Sequence, residues 1–203
     1  MCCKELPQGY SFYDKIDLKK NKRQFWLVQG VGIGLFLLFI PLGILIAAVA
    51  DLPEAEFNGL NIFFPIIAWC AVYVIYIVLH EVTHGIFMYA FCPTKLNFGV
   101  SLTYAYCGSR AYFDKKHYIL IALAPVLIWG IVLGVLNIFI HVGVWFWTVW
   151  LLQAGNVSGS AGDFYCVIKM LRYPKDILVQ DTGTDMTVYT PQKEQERERE
   201  ESR

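Results

Sequence analysis

Three stretches of the chain, 25–50, 57–79 and 118–162, contain no Asp, Glu, Lys or Arg. A membrane-crossing helix needs about 20 predominantly apolar residues, and the third stretch is long enough for two. Soluble cores do not use uncharged runs of this length. The pattern predicts four spans, at about 25–49, 60–91, 117–140 and 144–171. The first carries Gly30, Gly32 and Gly34 as a small-residue face and Pro41 as a candidate kink. It starts late and no small-residue cleavage pattern follows it, so it reads as an anchor rather than a cleavable leader.

The charges between the spans orient them. Residues 1–24 are basic, with Lys15, Lys19, Lys20, Lys22 and Arg23. Loop 51–59, "DLPEAEFNG", is acidic, and loop 92–116 carries Lys95, Arg110, Lys115 and Lys116. Lys169 and Arg172 close the last span. Under the positive-inside rule both termini and loop 92–116 are cytoplasmic, and loop 51–59 is outside. The expected organisation is a cytoplasmic basic arm over 1–24, a four-helix membrane domain over 25–172 and a cytoplasmic tail over 173–203. The charged run "KEQERERE" at 193–200 makes the last part of that tail a disordered segment.

The cytoplasmic loop has a pattern of its own. "KLNFGVSLTYAYCGSRAYF" alternates and is rich in Tyr and Phe, with Cys-Gly-Ser as a turn signal. It reads either as a β-hairpin over 94–114 at the membrane interface or as a loop with an aromatic belt. The fold class is therefore an all-α integral membrane protein of four transmembrane helices, with that hairpin as its one β candidate. The expected location is the plasma membrane, with lipid as a partner.

Composition strengthens this reading. The chain is 56% hydrophobic and 17% charged, where ordinary globular domains have about 25% charged residues. Its formal net charge is zero, which gives no basis for a nucleic-acid partner. None of the six cysteines forms a CxxC pair, so no zinc knuckle or dithiol motif is signalled. Cys2 and Cys3 lie beside the basic segment, where acylation is one option and packing as small hydrophobes the other.

Against this apolar background, the segment "VLHEVTHGIFMYAF" at 78–91 places His80, Glu81 and His84 at the inner end of the second span. Residues four apart share one face of a helix, so His80 and His84 can grip one metal ion. Glu81 lies beside the first ligand and can act as general base toward a water at that metal. The alternative is a set of interface anchors at headgroup level. A carboxylate within a span is costly without a partner or a wet cavity, which favours the functional reading.

A catalytic zinc site needs a third protein ligand. Asp163 is the candidate, at the end of the uncharged run in "QAGNVSGSAGDFYCVIKML". At 1.5 Å per residue, His80 lies ~28 Å down its helix and Asp163 ~30 Å down its own, both counted from the outer face. The two sites are thus nearly level. The competing role for Asp163 is a helix-end carboxylate paired with Lys169 or Arg172. Upstream, Gly155, Gly159, Ala161 and Gly162 permit close helix packing and also make the helix easy to break. Asn156 is placed to hydrogen-bond a peptide carbonyl or oxyanion, as a substrate-binding residue. His117 and His141 are lone histidines at helix ends, read as interfacial, and Asp114, Asp181 and Asp185 fall in loop or tail with no site role.

Together, "HEVTHG" at the inner end of a span, a strand-like loop, "ALAP" at 122–125 and "NVSGSAGD" at 156–163 resemble the zincin peptidase family related to site-2 proteases, the intramembrane zinc metalloproteases. The resemblance covers roughly residues 60–185. It implies Zn2+ held by His80, His84 and Asp163, Glu81 as the catalytic base, and Asn156 as an aid to substrate binding. Site-2 proteases usually have prolines after that asparagine and an Asp-Gly pair. Gly159, Ser160 and Asp163-Phe164 stand there instead, which suits the zincin branch better. The expected function is a membrane-embedded zinc metallopeptidase acting on a protein or peptide, including a transmembrane segment. The alternative is a metal-binding membrane protein without hydrolysis, a scaffold or metal carrier, which needs the ligands but not Glu81.

Overall fold

The computed structural model describes residues 2–17, 20–53, 63–100, 104–140 and 143–192. Contacts divide the chain into two compact units. One comprises Met1–Phe25, Glu81–Ala124 and Asp163–Arg203; the other comprises Trp26–His80 and Pro125–Gly162.

The second unit is helical. It holds most of α1 (Lys22–Val49), the first part of α2 (Phe63–Phe91), the later part of α3 (Lys115–Phe139) and α4 (Gly143–Gly159). Among the described residues, α1, α2 and α3 are long and apolar enough to cross a membrane. Their outward faces remain apolar: Leu37, Leu38, Val74, Ile75 and Ile131 are all exposed, as lipid-facing side chains are. Leu133, Val149 and Leu152 form a small core with Trp69 and Tyr73 against them. Close approach depends on glycines, two of which face aromatic rings. A Cβ at Gly43 would overlap the Trp150 indole, and one at Gly155 would overlap the Tyr73 ring. The Trp150 indole N–H donates to the Phe39 carbonyl at 2.8 Å.

The four-span expectation is corrected here. The predicted last span is two helices, α4 of 17 residues and α5 (Ala161–Arg172) of 12, separated at Ser160. Neither reaches the length of about 20 residues that a crossing helix needs. The buried Ser160 hydroxyl donates to the Asn156 carbonyl at 2.8 Å, a local bond of the kind that competes with helix propagation. The break falls within the small-residue run, where a helix is cheapest to interrupt.

The first unit corrects the all-α expectation. Its framework is a five-stranded antiparallel sheet in the order β1 (Cys2–Cys3), β5 (Tyr112–Asp114), β6 (Leu178–Asp181), β7 (Met186–Pro191) and β2 (Tyr10–Ile16). Residues of the N-terminal arm and of the C-terminal tail thus pair as β2 and β7, from Tyr10 opposite Pro191 to Ile16 opposite Met186, with a one-residue register shift between Phe12 and Asp14. The reason is strand amphipathicity. Along β7, Met186, Val188 and Thr190 are buried while Thr187 and Tyr189 are half-buried, the period-two pattern of a strand with one face on a core. That core joins Phe113, Val179 and Val188 of the sheet to Met88 of α2, Ile121 of α3 and Met170 of α5. The charged run at 193–200 and His141 lie outside the described residues.

The loop between α2 and α3 does form a hairpin, β3 (Leu96–Val100) with β4 (Ala105–Ser109), with Phe98 opposite Cys107. Cys107, Gly108 and Ser109 are strand rather than turn. A Cβ at Gly108 would meet the Thr182 backbone, so this glycine serves a close chain approach.

Candidate metal centre

The inner half of α2 bears the three polar residues of the 78–91 segment. His80 stands one turn before His84 on the same unbroken helix, so the helix itself sets their separation. Asp163 lies in the first turn of α5, where the positive end of the helix dipole favours a carboxylate. The break at Ser160 starts that helix only two residues earlier. His84 Nε2 lies 3.5 Å from Asp163 Oδ1. One donor atom from each of His80, His84 and Asp163 lies within 4.8 Å of the others.

These separations suit a single small cation. Zinc sits about 2.0–2.2 Å from nitrogen and oxygen donors, which places two tetrahedral ligands roughly 3.4 Å apart. Two imidazoles and one carboxylate also form a donor set of the type that leaves a fourth position open in catalytic zinc sites. The tautomer of His84 fits as well. Its Nδ1 is 2.9 Å from the Ile121 carbonyl, which only accepts, so Nδ1 carries a proton and Nε2 is the ring atom that faces Asp163.

The competing role of Asp163, pairing at its own helix end, is not adopted with Lys169. That ammonium reaches across to Asp14 Oδ2 at 3.4 Å. Glu81 is half-buried and follows His80 directly. Its charge acts on Cys107 of β4, whose thiol is pushed up to about 12 by burial first and then by Glu81 and Asp181. Cys107 is therefore a neutral packing thiol.

Asn156, expected to bind substrate, is held by partners within the protein. It is completely buried. Its Nδ2 donates to the Val126 carbonyl at 3.1 Å, and its Oδ1 accepts from the Tyr76 hydroxyl at 2.7 Å. Tyr76, four residues before His80, was not among the sequence candidates. Its i, i+4 spacing was the available signal. Asp181, expected to be an idle tail residue, instead accepts from the Tyr118 hydroxyl at 2.5 Å and from the Gly183 N–H at 2.8 Å. Burial raises its carboxyl above the usual range against those hydrogen bonds. His117, read as a lone histidine, has a partner: its Nδ1 lies 2.7 Å from Asp114 Oδ1.

No curated protein and no solved structure matches the chain. A family model described as "Putative zincin peptidase" matches residues 73–178. That span exceeds half of the chain and includes His80, Glu81, His84, Asn156 and Asp163. The donor geometry and the family match agree, and the chain belongs to the putative zincin peptidase family.

Proposed function

We propose that the protein is a membrane-embedded zinc metallopeptidase of site-2-protease type, hydrolysing peptide bonds in or near the bilayer. The observation that carries this reading is the convergence of His80, His84 and Asp163 beside Glu81. A zinc ion held there supplies Lewis acidity, which lowers the pKa of water and polarises a carbonyl. The protein's own part is then acid–base work and placement. A Glu81 carboxylate oxygen accepts the proton of the attacking water and returns it to the departing amine nitrogen. His84, fixed by the Ile121 carbonyl, and Asp163, fixed at the start of α5, hold their donor atoms in place without rearrangement.

The substrate is a protein or peptide presented as an extended strand, and a transmembrane segment unwound near the site qualifies. Support comes from β3, the outer strand of a two-stranded sheet, which offers a free edge for strand addition. Beside it, Val82, Ile86, Tyr89, Leu96 and Phe98 line an apolar recess of about 380 Å³. The proposed location is the plasma membrane with both termini cytoplasmic. The pairing of β2 with β7 supports a common side for the two ends.

The direct test of the chemistry is Glu81→Gln in cells where a cleavage product has been identified. Loss of the product with zinc content unchanged is the expected result. Cleavage at the parent rate in Glu81→Gln would refute hydrolysis and leave a metal-binding protein without enzymatic action.

A further inference from the structure

His80 and His84 are both expected to present Nε2 to a metal, but they are oriented by different means. His84 leans on a backbone carbonyl. The ring of His80 instead meets the Tyr76 hydroxyl, 3.0 Å from Nδ1. Tyr76 is buried, stacked near Tyr73 with ring centroids 5.9 Å apart and edge-on to Trp129 at 6.2 Å, so its hydroxyl is held where it is.

The direction of each hydrogen bond follows from donor and acceptor capacity. The Val126 carbonyl can only accept, so the Asn156 atom facing it at 3.1 Å is the amide nitrogen. The other end of the amide, facing Tyr76 at 2.7 Å, is therefore the oxygen. A phenol has one proton, and an amide oxygen can only accept it. The Tyr76 oxygen is left as the acceptor for Nδ1–H of His80, and in the neutral imidazole, the form that binds a metal, the lone pair is then on Nε2.

We infer that Tyr76 and Asn156 are positioning residues for the metal centre. A chain of hydrogen bonds from the Val126 carbonyl through Asn156 and Tyr76 to His80 sets the tautomer and ring orientation of that ligand. The inference rests on the proposed metal centre and assigns new roles within it. Neither residue touches metal or substrate. They act through His80, as outer partners of ligating histidines do, and loss of such a partner typically costs 10–100-fold in metal affinity.

The test compares Tyr76→Phe, Asn156→Ala and their double variant with the parent, using Tyr73→Phe as a control one turn away. Zinc dissociation constants are measured on the detergent-solubilised full chain by competition with a chromophoric chelator. The visible spectrum of the cobalt(II)-loaded protein reports donor geometry. Tyr76→Phe keeps the ring and removes only the hydroxyl. It is expected to weaken zinc binding 10–100-fold and alter the cobalt spectrum, with Tyr73→Phe unchanged in both. The double variant is expected to lose no more than the weaker-binding single, because the residues act in series. Should Asn156→Ala fail to fold, Tyr76→Phe against Tyr73→Phe decides alone. Parent-like affinity and spectrum in Tyr76→Phe would overturn the inference and leave the metal centre standing. A parent chain that binds no zinc would remove both.

Discussion

The ionisable residues around α2 and α3 divide into those held for chemistry and those held for structure, and their partners tell them apart. On the proposed reading Glu81, which directly follows His80 on α2, is the general base. General-base catalysis contributes typically 10²–10⁴-fold, and Glu81→Gln should lower turnover by that order in a peptide-cleavage assay while zinc content stays at the parent level. Asp114 belongs to the structural class. Its Oδ1 accepts the backbone N–H of His117 at 2.9 Å, capping the start of α3. Burial pushes the Asp114 carboxyl up, but its hydrogen bonds, the His117 backbone N–H first among them, outweigh it and bring the value down to about 2. A depressed carboxyl contributes stability above its unfolded pKa and loses it as pH falls through the folded one. Its contribution should therefore be complete above pH ~5 and fade between about 4 and about 2. Thermal melts over that range should show a smaller acid-induced loss in Asp114→Ala, which should itself cost ~1 kcal/mol at neutral pH.

At the scale of elements, legibility depended on whether a periodicity was local. The helices α1, α2 and α3 were readable because lipid-facing length leaves an unbroken uncharged run. The hairpin of β3 and β4 was readable because both strands and their connection lie within one loop. The break at Ser160 was signalled by the surrounding small residues, but not its consequence, that Asp163 opens a new helix. The five-stranded sheet was missed because its pieces are short and far apart: β2 and β7 are separated by the whole membrane domain. Charge at both ends drew them toward a reading as polar arm and tail. The alternation within β7 was present in the residues, but one strand does not name its partner. The structure makes a sharp prediction there. Val188 is completely buried. Val188→Ala should destabilise the first unit by ~2 kcal/mol, as loss of two buried methylene equivalents does. Thr187→Ala, on the opposite face of β7, should stay within ~0.5 kcal/mol in the same denaturation measurement.

For the molecule as a whole, pairing of β2 with β7 puts the described N- and C-terminal segments in one sheet, and the proposed topology has both on one side of the bilayer. Epitope tags fused to the two ends should therefore gain or lose protease protection together in sealed vesicles; opposite behaviour would contradict the pairing. The proposed metal centre draws its candidate ligands from helices about 80 residues apart in sequence. Helical spacing alone brought His80 to His84. Counting depth along two helices brought Asp163 level with them, since rise per residue is nearly constant. What depth counting lacked was direction around the helix, and that is why the contact of Asn156 with Tyr76 was not legible.

The measurement that tests the central claim most directly is the zinc content of the purified, detergent-solubilised chain beside that of Asp163→Ala. One zinc per parent chain, falling to well below half in the variant, is the predicted result. No zinc in the parent, or an equal content in both, would contradict a centre built from His80, His84 and Asp163.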